Sequence, residues 1–229
     1  MLFTLLFPLF QTYLYFDLMA TWSASIQKGI YAVTKVVMLL LPIVYLGIVC
    51  KERFWLRKFN ARGLVEGAAF GLLVLLVMCL LYFCCLKPLG IISPESRVAE
   101  SITERVAVFG ITHPAMFILF GVFVSFIHSG LEEYYWRWFA FILLRRVMPT
   151  TLSAIVSGVA FSLHHVILLG TYIGYNSPLA WLFSFGIAMG GAYWCWLYYR
   201  KDSIYAPWLS HAIIDIAIFI VGYDLVFAA

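Results

Sequence analysis

Long, nearly uninterrupted apolar segments are the feature of this sequence that most restricts its fold. A helix needs about 20 apolar residues to cross the core of a bilayer, and seven segments of the 229-residue chain reach or approach that length. Such a segment favours the α-helix, because the helix satisfies its own backbone hydrogen bonds where no water is present. The predicted spans are residues 3–24, 29–50, 63–86, 109–130, 151–170, 179–199 and 204–227.

The composition excludes a water-soluble protein. Hydrophobic residues make up 64% of the chain and charged residues 11%, whereas a soluble domain has about 25% charged residues. The net charge of +4 comes from basic residues at the ends of the apolar segments, so we expect no nucleic-acid partner. We predict an all-α, polytopic transmembrane helical bundle of about 7–8 spans that forms a single domain over residues 1–229.

The segment 131–147 leaves the number of spans open. It continues the fourth predicted helix without a glycine or proline until Pro149. It therefore forms either one long tilted helix with that span or a re-entrant eighth segment. Within the single domain, we expect N-terminal helices in residues 1–108 and the core helices with the polar motifs in residues 109–229.

The basic residues predict an orientation in the membrane. Three loops are rich in lysine and arginine, and with seven spans all three lie on one side, which the positive-inside rule makes cytoplasmic. From the compactness of the chain, we expect the plasma membrane of a prokaryote. The basic residues are Lys51, Arg53, Arg57, Lys58 and Arg62 in the first loop, Arg145 and Arg146 in the second, and Arg200 and Lys201 in the third.

Two adjacent carboxylates, Glu132 and Glu133, interrupt the apolar pattern. A carboxylate at the bilayer centre costs about 2.5–3.5 kcal/mol on insertion scales, so the pair indicates a function. Arg137 lies four residues after Glu133, which places both on one helix face. Glu132 then points in another direction, in which it could face a water molecule and act as a general base. The alternative is an ion pair that snorkels to the cytoplasmic edge.

Two further motifs place histidines within predicted spans. His164 and His165 are adjacent, and because neighbouring helical residues point in different directions we expect only one to face a shared site. His211 and Asp215 are four residues apart and form one polar stripe on the last helix, where the carboxylate can orient the imidazole. Hydrogen bonds between helices are the structural alternative for both motifs.

The remaining buried polar residues have simpler explanations. Lys35 and Asp17 lie within a few turns of the predicted outer edge, where long side chains snorkel to the headgroups. Five cysteines lie in or beside apolar segments, and none forms a CxxC pair. We therefore expect the cysteines to pack as small hydrophobic residues.

The motifs EExxxR, FxxxH and HxxxD, each on its own apolar helix, resemble the CPBP family of CAAX-prenyl endopeptidases and bacteriocin-processing (Abi) membrane proteins. The resemblance covers roughly residues 115–225. Members of the family often have asparagine where this chain has Asp215. The matched residues are Glu132, Glu133, Arg137, Phe161, His165, His211 and Asp215.

The resemblance implies a glutamate-dependent intramembrane endopeptidase. Glu132 and His165 would activate the water, and His211 would stabilise the oxyanion. Arg137 would hold Glu133 ionised, and Asp215 would be protonated or would orient His211. The expected partner is a membrane-anchored peptide or protein, lipidated or with its own hydrophobic helix.

Alternatives to this activity remain open. The metal-free mechanism needs no cofactor, but Glu132, His165 and His211 are also residue types that ligate zinc. The signature HExxH is absent from the sequence. A protein that binds a membrane peptide without cleaving it, such as an immunity protein, would have the same residues. A small proton-coupled transporter would normally have inverted repeats, and the sequence has none.

Overall fold

The computed structural model describes residues 1–51 and 59–228, and these residues form eight helices and no strand. The predicted all-α class is confirmed. Arg53, Arg57 and Lys58 of the predicted basic loop lie outside the described residues. The helices are α1 (Leu2–Leu18), α2 (Ala24–Val49), α3 (Leu64–Leu86), α4 (Arg97–Val108), α5 (Pro114–Leu144), α6 (Thr150–Ile173), α7 (Pro178–Lys201) and α8 (Tyr205–Phe227).

Among the described residues, five helices (α2, α3, α5, α6 and α8) are long and apolar enough to cross a membrane by length and composition. They coincide with five of the seven predicted spans. Helix α1 is apolar but shorter, and the tryptophan, tyrosine and glycine residues of α7 lower its mean hydropathy. The chain is therefore a multi-pass helical membrane protein.

The segment 131–147 continues the fourth predicted span as far as Leu144 and does not form a separate helix. Residues Pro114–Leu144 form one helix of 31 residues. A short α-helical stretch, Ser129–Glu133, is flanked by π-helical stretches at Phe123–His128 and Tyr134–Phe141. Such wide turns are frequent at functional sites, and here they flank the acidic pair.

The chain divides into two compact units, and the boundary between them falls within α5. The first unit consists of Met1–Arg62 and Leu131–Ile204. Within it, α6 and α7 pack closely because Gly158 has no side chain: a Cβ atom there would lie 2.5 Å from the carbonyl oxygen of Ala188. Gly191 of α7 approaches Gly158 in turn. The Ser162 hydroxyl also donates to the Ser184 carbonyl across these helices, at 2.5 Å.

Two tyrosines connect the second half of α5 to α1 and α2 within the first unit. The Tyr135 hydroxyl donates to the Thr4 carbonyl of α1 at 2.6 Å. The Tyr134 hydroxyl donates to the Leu39 carbonyl of α2 at 3.2 Å. The two helices therefore lie beside the residues that immediately follow the acidic pair.

The second unit consists of Gly63–Gly130 and Tyr205–Ala229. Helix α3 packs on α8 through Gly71, where a Cβ atom would lie 2.9 Å from the Ser210 carbonyl oxygen. At the other end of α3, Tyr82 and Lys87 both bind Asp224 of α8.

Candidate active site

Glu133 and Arg137 form an ion pair that is enclosed by protein. Arg137 Nε lies 3.0 Å from Glu133 Oε2, and neither side chain is exposed at all. The predicted pairing of the two residues on one helix face is therefore present. An ion pair that snorkels must reach the surface, so the burial of this pair excludes that alternative.

Two aromatic rings complete the surroundings of Arg137. Its guanidinium carbon lies 4.7 Å from the centre of the Phe161 ring and 5.0 Å from that of Trp194. A cation over a ring face is attracted by the negative potential of the ring, and the attraction is stronger away from water. Arg137 is thus bound by a carboxylate and by rings from α6 and α7, which fixes this part of α5 against both helices.

Glu132 faces the histidines of α6. Its Oε1 atom lies 3.5 Å from Nε2 of His164, and both side chains are nearly buried. The His164 ring stacks on Trp136, with 6° between the ring planes. One ligand atom from each of Glu132, His164 and His165 lies within 4.8 Å of the other two. The first unit therefore contains a compact group of one carboxylate and two imidazoles.

The hydrogen bond of His165 fixes its tautomer. Nδ1 of His165 lies 3.1 Å from the backbone carbonyl oxygen of Phe161, one turn earlier. A carbonyl oxygen only accepts, so Nδ1 donates and the neutral ring has its lone pair on Nε2. His165 can therefore accept a proton or a hydrogen bond from water at Nε2. The spacing FxxxH thus has a physical meaning, because residue i supplies the acceptor that orients the imidazole at i+4.

The expectation that only one of the two histidines faces the site is wrong. Both imidazoles approach Glu132, and their ring centres are only 4.1 Å apart. Consecutive Cα–Cβ bonds diverge by about 100° on a helix, but a histidine side chain has two rotatable bonds and can turn towards its neighbour. His164, which is outside the matched motif FxxxH, is the histidine whose Nε2 atom lies 3.5 Å from Glu132 Oε1.

His211 and Asp215 lie on α8 in the second unit. Their side chains are nearly buried, and His211 Nε2 is 3.7 Å from Asp215 Oδ1. This distance allows an electrostatic pair but exceeds that of a hydrogen bond. The predicted polar stripe at i and i+4 is present on the helix. The catalytic roles of His211 and Asp215 stay predictions.

The first unit contains three residues that could together ligate a metal ion. Glu132, His164 and His165 together offer three ligand atoms, and catalytic zinc sites use three protein ligands plus water. This set replaces His211 of the sequence-based zinc hypothesis with His164. The Nδ1 atom of His164, which is not the atom that faces Glu132, has no hydrogen-bond partner among the described residues.

Two residues of α2 that are directed towards Glu132 are outside the motifs, and for Lys35 the sequence predicts only a side chain that snorkels to the headgroups. Lys35 and Tyr31, one turn apart, both interact electrostatically with Glu132. Their spacing of four residues was the available signal, but it does not indicate which other helix they face. Only the packing of α2 beside α5 brings them towards the acidic pair.

The fold and the site together define a multi-pass membrane protein whose spanning helices have buried acidic and imidazole side chains. The family resemblance predicted from the motifs is confirmed, because residues 114–217 match the model of the Rce1-like family, described as type II CAAX prenyl endopeptidase Rce1-like. Over this segment the chain is therefore similar to the CAAX proteases. No curated protein and no solved structure matches the chain.

Proposed function

We propose that this protein is a glutamate-dependent intramembrane endopeptidase. Glu132 acts as the general base, and His165 orients the water through its Nε2 atom. One observation supports this proposal best. A carboxylate oxygen of Glu132 and one ring nitrogen each of His164 and His165 lie within 4.8 Å of one another, where the spanning helices α5 and α6 meet. A carboxylate and a neutral imidazole on one water molecule are the groups that general-base hydrolysis needs.

The reaction begins with a water molecule hydrogen-bonded to Glu132 and His165. Its oxygen attacks the scissile carbonyl carbon while a proton passes to the Glu132 carboxylate. The carbonyl oxygen becomes an oxyanion as the new C–O bond forms. When the C–N bond breaks, protonated Glu132 returns the proton to the leaving amine. The products are a new carboxylic acid, which then loses its proton to water, and a new amine, so the Glu132 carboxylate is regenerated.

The remaining motif residues support these groups. Arg137 pairs with Glu133, and the pair fixes the helix that presents Glu132. In our proposal, His211 donates a hydrogen bond to the oxyanion. An ionised carboxylate cannot donate, so we assign Asp215 to orienting His211 through the electrostatic pair at 3.7 Å.

The proposed substrate is a membrane-anchored protein with a prenylated C-terminal tail. This class follows from the family description, CAAX prenyl endopeptidase, since C-a-a-X at a C-terminus directs prenylation of the cysteine. Substrates with another lipid or with their own hydrophobic helix would reach a site inside the bilayer in the same way. We propose the plasma membrane of a prokaryote as the location.

Cleavage of a farnesylated peptide by the purified protein tests the proposal. Glu132→Gln keeps the shape of the side chain but removes the base, so we expect a loss of about 10²–10⁴-fold in kcat. His165→Ala should also abolish most of the activity. Glu100→Gln changes an exposed glutamate of α4 and serves as the matched control. Wild-type rates in both Glu132→Gln and His165→Ala would refute the assignment.

The outcome also separates the enzyme from a peptide-binding protein. A non-catalytic immunity protein would bind the farnesylated peptide without releasing its C-terminal residues. Release of the tripeptide by wild-type protein, followed by mass spectrometry, excludes that function. Asp215→Asn adds a second discrimination: loss of activity means that the negative charge orients His211, whereas retained activity means a neutral hydrogen-bonding role.

A zinc-dependent protease is a second candidate, favoured by the ligand set Glu132, His164 and His165. In our metal-free proposal, activity persists in chelator. Loss of activity in chelator that zinc restores would favour the metal mechanism. His164→Ala adds to this test, because it removes a zinc ligand but neither of the two groups that bind water in the metal-free mechanism.

A further inference from the structure

Lys35 is a cation within a membrane-spanning helix that the three motifs do not explain. It lies in α2, which is one of the five apolar spans, and its side chain is partly buried. A lysine at the bilayer centre costs about 2.5–3.5 kcal/mol on insertion scales, so an intramembrane lysine indicates a function and an anionic partner.

The packing of α2 places Lys35 on the side of the acidic pair. Two contacts join α2 to the second half of α5: Tyr134 donates to the Leu39 carbonyl, and the rings of Tyr45 and Phe139 are 5.5 Å apart. The contacts advance together along both helices, so the helices run in the same direction. Lys35 lies one turn before Leu39 on α2, and Glu132 lies about half a turn before Tyr134 on α5. Both residues are therefore on the same side of the hydrogen bond between Tyr134 and Leu39.

A tyrosine one turn away restrains the ammonium group of Lys35. Its Nζ atom lies 5.3 Å from the centre of the Tyr31 ring, and the Tyr31 ring is 5.7 Å from that of Tyr15 in α1. Tyr31 and Lys35 both interact electrostatically with Glu132. The face of α2 that contains these residues is therefore directed towards the candidate catalytic base.

Arg137, a second cation beside the acidic pair, differs from Lys35 in its access. The Arg137 side chain is fully enclosed, and its guanidinium is bound by Glu133 and two rings. It cannot reach a substrate without breaking that arrangement. Lys35 is only partly buried, and its ammonium has three donor hydrogens. Of the two cations, Lys35 is the one that a bound substrate can contact.

We propose that Lys35 binds the free C-terminal carboxylate of the substrate tail and so selects substrates that end close to the cleaved bond. This inference rests on the proposed function. In a C-a-a-X tail, three residues follow the cysteine, and three extended residues span at most about 10–11 Å. Neighbouring helices lie about 8–10 Å apart, so a tail cleaved beside Glu132 on α5 reaches α2 with its carboxylate.

The test compares two farnesylated peptides that are identical except at the C-terminus, one with a free carboxylate and one with a carboxamide. For wild-type protein, we expect the amide to lower kcat/KM by about 10–100-fold, mainly through KM, because a hydrogen bond to a charged group is lost. In Lys35→Met, the preference for the acid should disappear, so that both peptides are cleaved at the same rate. Because the variant also removes a charge that interacts with Glu132, the test is the ratio of the two rates and not their absolute values.

Two variants complete the experiment. Lys35→Arg keeps the cation and should retain most of the preference for the acid. Lys28→Met removes an exposed lysine of the same helix and should retain all of it. Equal cleavage of both peptides by wild-type protein overturns the inference without any variant. An equal loss on both peptides in Lys35→Met also overturns it, since that result indicates a structural role.

This design separates the inference from the function on which it rests. If wild-type protein cleaves neither peptide, the proposed function itself fails and the inference fails with it. If it cleaves both at the same rate, the proposed function stands and only the role of Lys35 is lost.

Discussion

Each of the two units contains a carboxylate bound to a cation, but the surroundings of the two pairs differ. In the first unit, Glu133 and Arg137 have no exposed surface. In the second unit, the side chains of Lys87 and Asp224 are 34% and 15% exposed, with Nζ 2.6 Å from Oδ2. The Tyr82 hydroxyl donates to the same oxygen at 2.7 Å. The second pair joins the end of α3 to α8, whereas the first lies within α5 and has no access to solvent or lipid.

The difference teaches what each pair contributes. Removing one partner of an enclosed pair leaves a buried charge without compensation, which is strongly destabilising. An exposed pair gains little, because its groups can be solvated when they separate. The presence of an enclosed pair does not by itself make the protein more stable, because the desolvation of two charges can cost as much as their attraction provides. Its position next to Glu132 instead indicates that it fixes the helix turn that presents the candidate base.

The largest expected effect comes from Arg137→Met, which leaves Glu133 buried without a cation. We expect the free energy of unfolding to fall by about 3–5 kcal/mol. The double variant Arg137→Met/Glu133→Leu should recover most of this loss, because an apolar replacement of a whole buried pair is often neutral. Unfolding by denaturant in detergent micelles measures both. A loss of less than about 1 kcal/mol in the single variant, the range for exposed pairs, would contradict the enclosure of this pair.

A smaller effect is expected for Phe161→Leu, which removes the ring over Arg137 but keeps the carbonyl that orients His165. The lost cation–π contact predicts a destabilisation of about 0.5–2 kcal/mol. Since the His165 hydrogen bond uses the backbone, kcat should fall much less than in His165→Ala. Parallel measurements of stability and kcat distinguish the two contributions. A loss of activity equal to that of His165→Ala would mean that the ring itself positions the imidazole.

The smallest effect is expected for Lys87→Met in the second unit. Asp224 keeps its hydrogen bond from Tyr82 and its access to solvent, so the loss of stability should not exceed about 1 kcal/mol. Peptide cleavage should remain at the wild-type rate. The same assays as for Arg137→Met apply. A destabilisation equal to that of Arg137→Met would remove the distinction between the two pairs.

The sequence was sufficient for the interactions within single helices. The apolar segments predict the helices, and the spacing of four residues predicts the Glu133–Arg137 pair and the stripe of His211 and Asp215. The motifs also predict the family that the comparison identifies over residues 114–217. The predicted bundle of about 7–8 spans agrees roughly with the structure. Among the described residues, five helices are clearly long and apolar enough to span a membrane, α1 is shorter, and α7 has many aromatic and glycine residues.

Interactions between helices required the tertiary structure. The approach of both His164 and His165 to Glu132 depends on how α6 packs against α5 and on the direction in which each side chain turns. The electrostatic interaction of Lys35 with Glu132 depends on the packing of α2 against α5. Helical periodicity states which residues share a face of one helix. Periodicity does not indicate which other helix that face packs against, because in an apolar chain many different helix pairs would bury similar surface areas. Close packing at glycines such as Gly158 and specific hydrogen bonds such as that of Tyr134 decide among these pairings.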